Sequence, residues 1–199
     1  KFERNTFLSL VKTNQSKSLI HAFFAERKSS KIPEIKTSQP RELKNLGIVG
    51  GGTMGSGITI AALNAGIPVT MIERDKNSLK RGINNVEKVY SRDIEKGRLS
   101  SYQVEVILSR FTKTTDFEAL SNVDMVIEAV YEEMSIKKNV FKILDKVIKK
   151  RGILASNTSY LNINELASIT SRPQEVIGLH FFSPANLMRL LEIIIPDKV

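Results

Sequence analysis

The sequence predicts an α/β protein with a doubly wound, mainly parallel sheet, preceded by a short helical segment. The main observation is that short apolar runs alternate with helical stretches from about residue 45 onward. This alternation is typical of a parallel sheet covered by helices on both faces. The predicted strands are LGIVG (46–50), IPVTMIE (67–73), RFTKT (110–114), VDMVIEAV (123–130), GILASN (152–157), VIGLHFF (176–182) and LLEIII (190–195).

Apolar residues at helical spacing predict the helices between these strands. We expect one helix over residues 53–64, further helical stretches up to Leu108, and a short helix between the strands at 152–157 and 176–182. A long helix is predicted over residues 134–150. Its inner face would carry Ile136, Val140, Phe141, Leu144, Val147 and Ile148.

The first 43 residues have a different pattern. Residues 1–29 predict two short amphipathic helices, with the break near Ser16 and Ser18, and SSKIPEIKTSQP (29–40) predicts a linker because it holds two prolines and few apolar residues. We therefore divide the chain into a helical hairpin with its linker (1–43) and a main domain (44–199). Because the first residue is lysine rather than methionine, we expect a piece of a longer chain.

Composition and charge argue against several functions. There is no cysteine and there are only two histidines, so neither disulfides nor a His- or Cys-ligated metal site is expected. No apolar run is long enough to predict a membrane span. The net charge of +9 comes mostly from residues 1–44, with 10 Lys/Arg against 4 Asp/Glu, whereas the rest has 20 against 17. Aromatic residues do not alternate with the basic ones, so we expect no nucleic-acid partner.

A glycine-rich turn gives the strongest local signal. Gly50, Gly52 and Gly55 form a G-x-G-x-x-G pattern that follows a predicted strand and opens a helix through Thr53 and Met54. In the Rossmann-type dinucleotide fold, the first glycine allows the tight turn, the second lets a pyrophosphate approach, and the third lets helix and strand pack closely. A ligand-free glycine turn is the alternative.

An acidic residue supports a dinucleotide site. Glu73 stands 23 residues after Gly50, at the end of the second predicted strand. A carboxylate there accepts hydrogen bonds from the ribose hydroxyls and repels a 2′-phosphate, although the adjacent Arg74 could meet such a phosphate. We therefore predict NAD as the cofactor and expect NADP to bind less well.

Four longer segments carry a resemblance to a known family. KNLGIVGGGTMGSGI, VIEAVYEE, ASNTSYL and GLHFFSPANLMRLLEII, in this order from residue 44 to the end, resemble the NAD domain of L-3-hydroxyacyl-CoA dehydrogenases. The leading ERNTFLSLV and SLIHAFFAERK are similar to the helical segment after the enoyl-CoA hydratase domain of bifunctional β-oxidation enzymes. HFFSP and NTSYL also favour this multifunctional branch.

The resemblance implies specific roles. His180 matches the catalytic base, Glu192 the acid paired with it, and Ser159 a serine that contacts the substrate; Glu132 and Lys137 match positions near the cofactor. The implied substrate is a (S)-3-hydroxyacyl-CoA, oxidised in fatty-acid β-oxidation. The implied partners are a preceding hydratase domain and a following helical dehydrogenase domain, a homodimer stays open, and the compartment is the bacterial cytoplasm or the peroxisome.

The residue chemistry agrees with these roles. Oxidation of a secondary alcohol needs a base for the hydroxyl proton, and histidine titrates near neutral pH. His180 lies near the end of a predicted strand, where doubly wound sheets bind ligands, and the turn at residues 183–186 can bring Glu192 back to it. Ser159 follows another strand end and can hydrogen-bond the substrate oxygen.

Each of these residues also has a structural alternative. His180 could be a core histidine beside two phenylalanines, Glu192 a solubility charge on an edge strand, and Ser159 a helix cap. For Lys88 and Arg92, one helical turn apart, a solvated helix face is favoured over a CoA-phosphate clamp, and His21 is taken as a surface or packing residue.

Two other functions stay open. One is a Rossmann oxidoreductase of the β-hydroxyacid type, which would use a catalytic lysine. The other is a non-catalytic NAD-binding or structural relative that kept the fold.

Overall fold

The computed structural model describes residues 1–29, 31 and 39–199. They form two compact units, Lys1–Arg41 and Glu42–Val199. Most of the predicted linker (29–40) lies outside the described residues. In the described ranges, no helix combines the length and the apolar character that crossing a membrane requires.

The first unit contains the helices α1 (Phe2–Leu10) and α2 (Asn14–Ser29). The predicted break near Ser16 and Ser18 is wrong, because both serines lie inside α2. The chain turns at Thr13 instead. The Thr13 hydroxyl donates to the Leu10 carbonyl oxygen and accepts from the Ser16 N–H, so one side chain joins the end of α1 to the start of α2. Neither helix buries a residue within the described structure.

The second unit is built on a seven-stranded sheet. Its strand order is β3-β2-β1-β4-β5-β6-β7, with all pairs parallel except the antiparallel pair of β6 and β7. The strands are β1 (Leu46–Val49), β2 (Val69–Ile72), β3 (Phe111–Thr114), β4 (Met125–Glu128), β5 (Ile153–Ser156), β6 (Val176–Phe181) and β7 (Leu191–Ile194). This confirms the predicted doubly wound, mainly parallel fold.

Helices cover both faces of this sheet. They are α3 (Thr53–Asn64), α4 (Lys76–Glu95), α5 (Ser101–Leu108), α6 (Met134–Val147) and α7 (Ile163–Ser168), with short 3₁₀ turns at Phe117–Leu120 and Pro173–Glu175. Successive strand residues point to opposite faces. Ile48 packs with α3 and α4 in one core, whereas its neighbour Val49 packs with α6 and α7 in the other.

The helix predicted over residues 134–150 needs two corrections. It ends at Val147 rather than at residue 150. At this end, Arg172 donates hydrogen bonds to the carbonyl oxygens of Asp145 and Lys149, which have no partner within the helix. The prediction that Ile136 lies on the inner face is wrong: its side chain borders a cavity rather than the core, and the residue is 36% exposed.

The strand order changes direction between β1 and β4, and this positions the site. β2 and β3 follow β1 on one side, while β4 to β7 continue on the other. In open α/β sheets a crevice forms at the carboxyl ends of the strands at such a point. The residues after β1 and β4 pack together here: a Cβ on Gly50 would come within 2.6 Å of the Ala129 oxygen.

We expect Asp124 to make stability pH-dependent. Its carboxylate accepts hydrogen bonds from Lys149 Nζ (2.6 Å) and from the backbone N–H groups of Lys44 (2.8 Å) and Asn45 (2.9 Å). The Lys149 hydrogen bond is the main reason that the pKa of Asp124 lies below its ordinary value. Asp124→Asn should lower the free energy of unfolding by about 1–2 kcal/mol at neutral pH.

The sign follows from linkage. A pKa lowered by folding contributes stability above the unfolded pKa, and this stability is lost as pH falls through the folded pKa. The difference between wild type and Asp124→Asn in urea denaturation should therefore be full at pH 7 and shrink below pH 4. A difference that stays constant down to pH 2.5 would contradict this account.

Candidate active site

The glycine turn between β1 and α3 has the geometry that its residues require. Gly50 has φ +101°, a region that side chains rarely adopt, and a Cβ on Gly55 would lie 1.7 Å from the Gly50 oxygen. A Cβ on Gly52, by contrast, would have no protein atom within 4 Å. Gly50 and Gly55 thus shape the turn, and Gly52 presents bare backbone at the N-terminus of α3.

Glu73 is fixed against this turn. Its Oε1 accepts a hydrogen bond from the Gly51 N–H (2.7 Å), and its Oε2 accepts one from the Arg74 N–H (3.1 Å). Gly51 was missed by the sequence analysis. A Cβ there would lie 2.9 Å from the Gly82 Cα, so a glycine lets α4 approach the turn. The glycine turn and the acidic residue of the dinucleotide-binding pattern are therefore joined by a hydrogen bond.

A cavity of about 710 Å³ opens beside this turn. This volume is typical of a small-molecule or cofactor site. Charged and polar side chains of Glu73, Arg74, Ser78 and Arg81 border one part of it. The other lining residues are Val49, Gly50, Gly52, Thr53, Met54, Ile72, Phe117, Ala129, Val130, Tyr131, Ile136, Asn139, Val140 and Ile143.

A second cavity of about 350 Å³ adjoins the first. Met54, Ala129 and Val130 border both cavities, so the two are neighbours at the ends of β1 and β4. The remaining lining residues of the second cavity are Glu132, Asn157, Ser159, His180, Phe181, Phe182 and Ser183. A ligand lying along the first cavity would present one end to these groups.

His180 and Glu192 form a hydrogen-bonded pair on the sheet. They are direct cross-strand partners of β6 and β7, and His180 Nδ1 lies 2.7 Å from Glu192 Oε2. The His180 side chain is 22% exposed, and its ring packs 4.5 Å from that of Phe182. A buried core histidine is therefore not what the structure contains. Glu192 lies on the edge strand β7, as expected for a solubility charge, but its carboxylate contacts the imidazole of His180.

Ser159 lies in the loop after β5, and its backbone N–H donates to Glu132 Oε1 (3.1 Å). Ser159 is not a helix cap: α7 begins at Ile163, and its N-cap is Asn162, whose side chain accepts from the Asn164 N–H. The neighbouring Thr158 hydroxyl donates a hydrogen bond to the same Glu132 oxygen. Glu132 therefore holds the loop that presents Ser159 to the second cavity.

Lys137, which matches a position near the cofactor in the family, borders neither cavity, and its side chain is 0% exposed. Its Nζ lies between two carboxylates, 2.7 Å from Glu128 Oε1 and 3.0 Å from Glu132 Oε2. A buried ammonium group needs such compensation. Lys137 therefore acts on the site through Glu132.

Two further polar residues of the site, Glu128 and Asn157, are not predicted from the sequence. Glu128, 0% exposed at the end of β4, also accepts hydrogen bonds from Ser156 Oγ and from the Val130 N–H, both at 2.7 Å. An acid in an otherwise apolar strand was the available signal, because it requires a buried partner. Asn157 accepts from the Phe181 N–H (3.0 Å) and so joins the ends of β5 and β6.

Electrostatics keep Glu132 ionised. Partial burial would raise the pKa of Glu132, but the Thr158 hydroxyl and the charged Lys137 donate hydrogen bonds to it and outweigh this effect, so its pKa lies below the ordinary value. A carboxylate that stays charged near neutral pH can hold both the Ser159 loop and Lys137 in place.

The other candidate groups lie elsewhere. Lys88 and Arg92 are exposed on α4 and border neither cavity, which fits the solvated helix face. His21 is exposed in α2.

Fold and site together define a class. A bare glycine turn at a helix N-terminus, an acid bonded to that turn, and an adjoining cavity with a histidine–carboxylate pair describe the Rossmann domain of an NAD-dependent oxidoreductase. Residues 45–198 match the family model "3-hydroxyacyl-CoA dehydrogenase, NAD binding domain". The chain belongs to this family, and NAD is the cofactor of the family's domain.

Known relatives agree with this assignment. Over 199 residues, the chain is 43% identical to the peroxisomal bifunctional enzyme of Homo sapiens, covering 98% of this chain and 27% of the relative. It is 40% identical over 194 residues to the peroxisomal fatty acid beta-oxidation multifunctional protein AIM1 of Arabidopsis thaliana, covering 96% of this chain and 27% of the relative. The chain thus spans about a quarter of these relatives.

Solved structures share the fold. (S)-3-hydroxybutyryl-CoA dehydrogenase PaaH1 from Ralstonia eutropha matches with a TM-score of 0.74 and 36% identity, covering 76% of this chain and 54% of that one. The dehydrogenase part of multifunctional enzyme 1 from C. elegans matches with a TM-score of 0.73 and 34% identity, covering 84% and 39%.

The glycine turn yields a paired prediction. Gly52→Val should lower the free energy of unfolding by at most about 1 kcal/mol, because a Cβ at this position has no protein atom within 4 Å and the loss is limited to a less favourable N-cap residue. It should weaken NADH binding, measured by fluorescence, at least about tenfold, because it blocks the approach to the helix N-terminus. Gly55→Ala should instead destabilise the fold by more than about 2 kcal/mol. Unchanged NADH affinity in Gly52→Val would contradict this site.

The buried ion pair of Glu128 and Lys137 yields a prediction about stability. Lys137→Met should cost about 3–5 kcal/mol in urea denaturation, because it leaves Glu128 charged and buried. The double variant Glu128→Gln/Lys137→Met should recover part of this loss. The matched control is Lys138→Met, which removes the next lysine and its exposed pair with Glu165 and should cost at most about 1 kcal/mol. Equal losses in Lys137→Met and Lys138→Met would refute the role of burial.

Proposed function

We propose that this chain oxidises (S)-3-hydroxyacyl-CoA to 3-oxoacyl-CoA with NAD⁺ as part of a multifunctional β-oxidation enzyme. The single observation that carries the proposal is the 2.7 Å contact between His180 and Glu192. His180 lines a cavity that shares three residues, Met54, Ala129 and Val130, with the cavity at the glycine turn. The proposed cofactor contacts are Gly50, Gly52, Thr53, Met54, Gly55 and Glu73, with Glu132 near the reacting end and Lys137 acting behind it.

Bound NAD⁺ supplies the hydride acceptor for C3 of the substrate. His180 takes the proton from the substrate hydroxyl group. Because Nδ1 faces Glu192, Nε2 is the nitrogen left for this transfer. The Glu192 carboxylate fixes the tautomer and stabilises the imidazolium ion that forms, and the Ser159 hydroxyl group hydrogen-bonds the substrate oxygen.

The two rival functions differ in testable ways. A β-hydroxyacid type of oxidoreductase would need a lysine at the reacting end, and among the described residues no lysine borders the second cavity. A non-catalytic relative would bind NADH but turn over no substrate. The His–Glu pair beside an ionised Glu132 supports catalysis, because a purely structural protein has no need of this arrangement.

The names of the relatives support the proposed setting. We propose a preceding hydratase domain and a following helical dehydrogenase domain as partners in one chain, since the similar proteins are called bifunctional or multifunctional. Homodimer formation belongs to the same proposal. The proposed compartment is the peroxisome, as in the names of these relatives, or the cytoplasm of a bacterium.

His180→Ala in the complete natural protein tests the mechanism. NADH formation from 3-hydroxybutyryl-CoA should fall about 10²–10⁴-fold, because the general base is lost. NADH binding should stay within about twofold of wild type, because His180 borders only the second cavity. His21→Ala, on exposed α2, is the matched control and should keep full activity. If His180→Ala kept more than about a tenth of the rate, His180 would not be the base.

A further inference from the structure

Two arginines are held beside Glu73 by a small polar cluster at the start of α4. Arg74 Nε donates to Asp75 Oδ2 (3.1 Å), and Arg81 Nη2 donates to Ser78 Oγ (2.9 Å). Ser78 Oγ in turn donates to Asp75 Oδ2 (2.9 Å), and Asp75 Oδ1 caps the helix by accepting the Ser78 N–H (2.8 Å). Arg74, Asp75, Ser78 and Arg81 therefore form one connected group, which we call the arginine cluster.

The arginine cluster faces the cavity at the glycine turn. Arg74, Ser78 and Arg81 all border that cavity together with Glu73. In the contacts above, each guanidinium group uses a single nitrogen, so each has further donors for a ligand. Guanidinium groups bind phosphate oxygens in a bidentate manner, and an arginine at this place in a Rossmann fold can accommodate a 2′-phosphate.

The Glu73 carboxylate opposes such binding. Its Oε1 is held by the Gly51 N–H at 2.7 Å, so the negative charge is anchored at the turn and cannot easily move away from a second anion. The site thus contains donors that suit a phosphate and one fixed charge that repels it.

We propose that the arginine cluster is a 2′-phosphate subsite for NADP(H) that the charge of Glu73 keeps closed. This rests on the proposed function, because it takes the ribose of the cofactor to lie at Glu73. The charge of one carboxylate then determines whether the site selects NAD or also accepts NADP. Once that charge is removed, Arg81 supplies much of the affinity for the 2′-phosphate.

Glu73→Gln is the variant that tests the subsite. Glutamine keeps an oxygen that can accept the Gly51 N–H but removes the charge. In titrations of this chain followed by nucleotide fluorescence, NADPH should bind at least about tenfold more tightly to Glu73→Gln than to wild type, while NADH binding weakens only a few-fold. A melting curve checks the fold, and Glu73→Ser serves as a second variant if the first is unstable.

A matched pair of double variants identifies the donors. Glu73→Gln/Arg81→Gln should lose most of the gain in NADPH affinity. Glu73→Gln/Lys80→Gln removes an equal charge from the adjacent position, which does not border the cavity, and should keep the gain. The gain should also decrease steeply with added salt, because it depends on phosphate–guanidinium attraction.

Each contrary outcome has a definite meaning. If wild type fails to bind NADH, the proposed function is overturned, and the subsite with it. If NADH binds but Glu73→Gln gains no NADPH affinity, only the subsite is overturned. The subsite is also refuted if the two double variants behave alike, since the effect would then be general charge, or if Arg81→Gln alone weakens NADH as much as NADPH, since Arg81 would then contact the adenosine.

Discussion

The site depends on the buried ion pair of Glu128 and Lys137. Glu128 ends β4, where its carboxylate also joins Ser156 of β5, and Lys137 extends the connection from α6 to Glu132. Removing ions of this kind from water is costly, and it is tolerated only where hydrogen bonds saturate both groups. Glu128 accepts three hydrogen bonds, and Lys137 contacts two carboxylates. The pair therefore connects two strand ends and a helix, and the loop that carries Ser159 is held to it through Glu132.

The antiparallel strand β7 adds what a parallel sheet alone does not provide. Side chains at the carboxyl ends of parallel strands meet at one edge, which brings the glycine turn, Ser159 and His180 near one another. The carboxylate for His180, however, comes from a strand that runs the other way, so that Glu192 lies directly opposite it in the register. Because the two residues are direct cross-strand partners, the backbone sets the spacing of their side chains, and His180 Nδ1 lies 2.7 Å from Glu192 Oε2.

Most of the fold could be predicted from the sequence, because strand–helix alternation and the glycine turn are local patterns. The pairing of His180 with Glu192 was implied by the family resemblance, and the turn at residues 183–186 agrees with it. The failures concern residues whose surroundings come from distant segments. Ile136 has the spacing of a core residue but borders a cavity. The burial of Lys137 between Glu128 and Glu132 has no signal in the local sequence either. The break between α1 and α2 lies at Thr13 because its hydroxyl group forms two hydrogen bonds, one to the Leu10 carbonyl oxygen and one from the Ser16 N–H. Ser16 and Ser18 lie inside α2.

The two ends of the proposed cofactor site are built by different physics, and this bears on how each can change. At the reacting end, Glu128 and Lys137 are fully buried and bonded on several sides, so a substitution there disturbs stability as well as chemistry. At the ribose end, Glu73, Arg74 and Arg81 are at least partly exposed, and their charges are screened by solvent. In the proposed subsite, a change of one charge alters whether a 2′-phosphate is accepted and leaves the core intact. Selectivity for the cofactor is therefore the property of this site that can vary most independently of the fold.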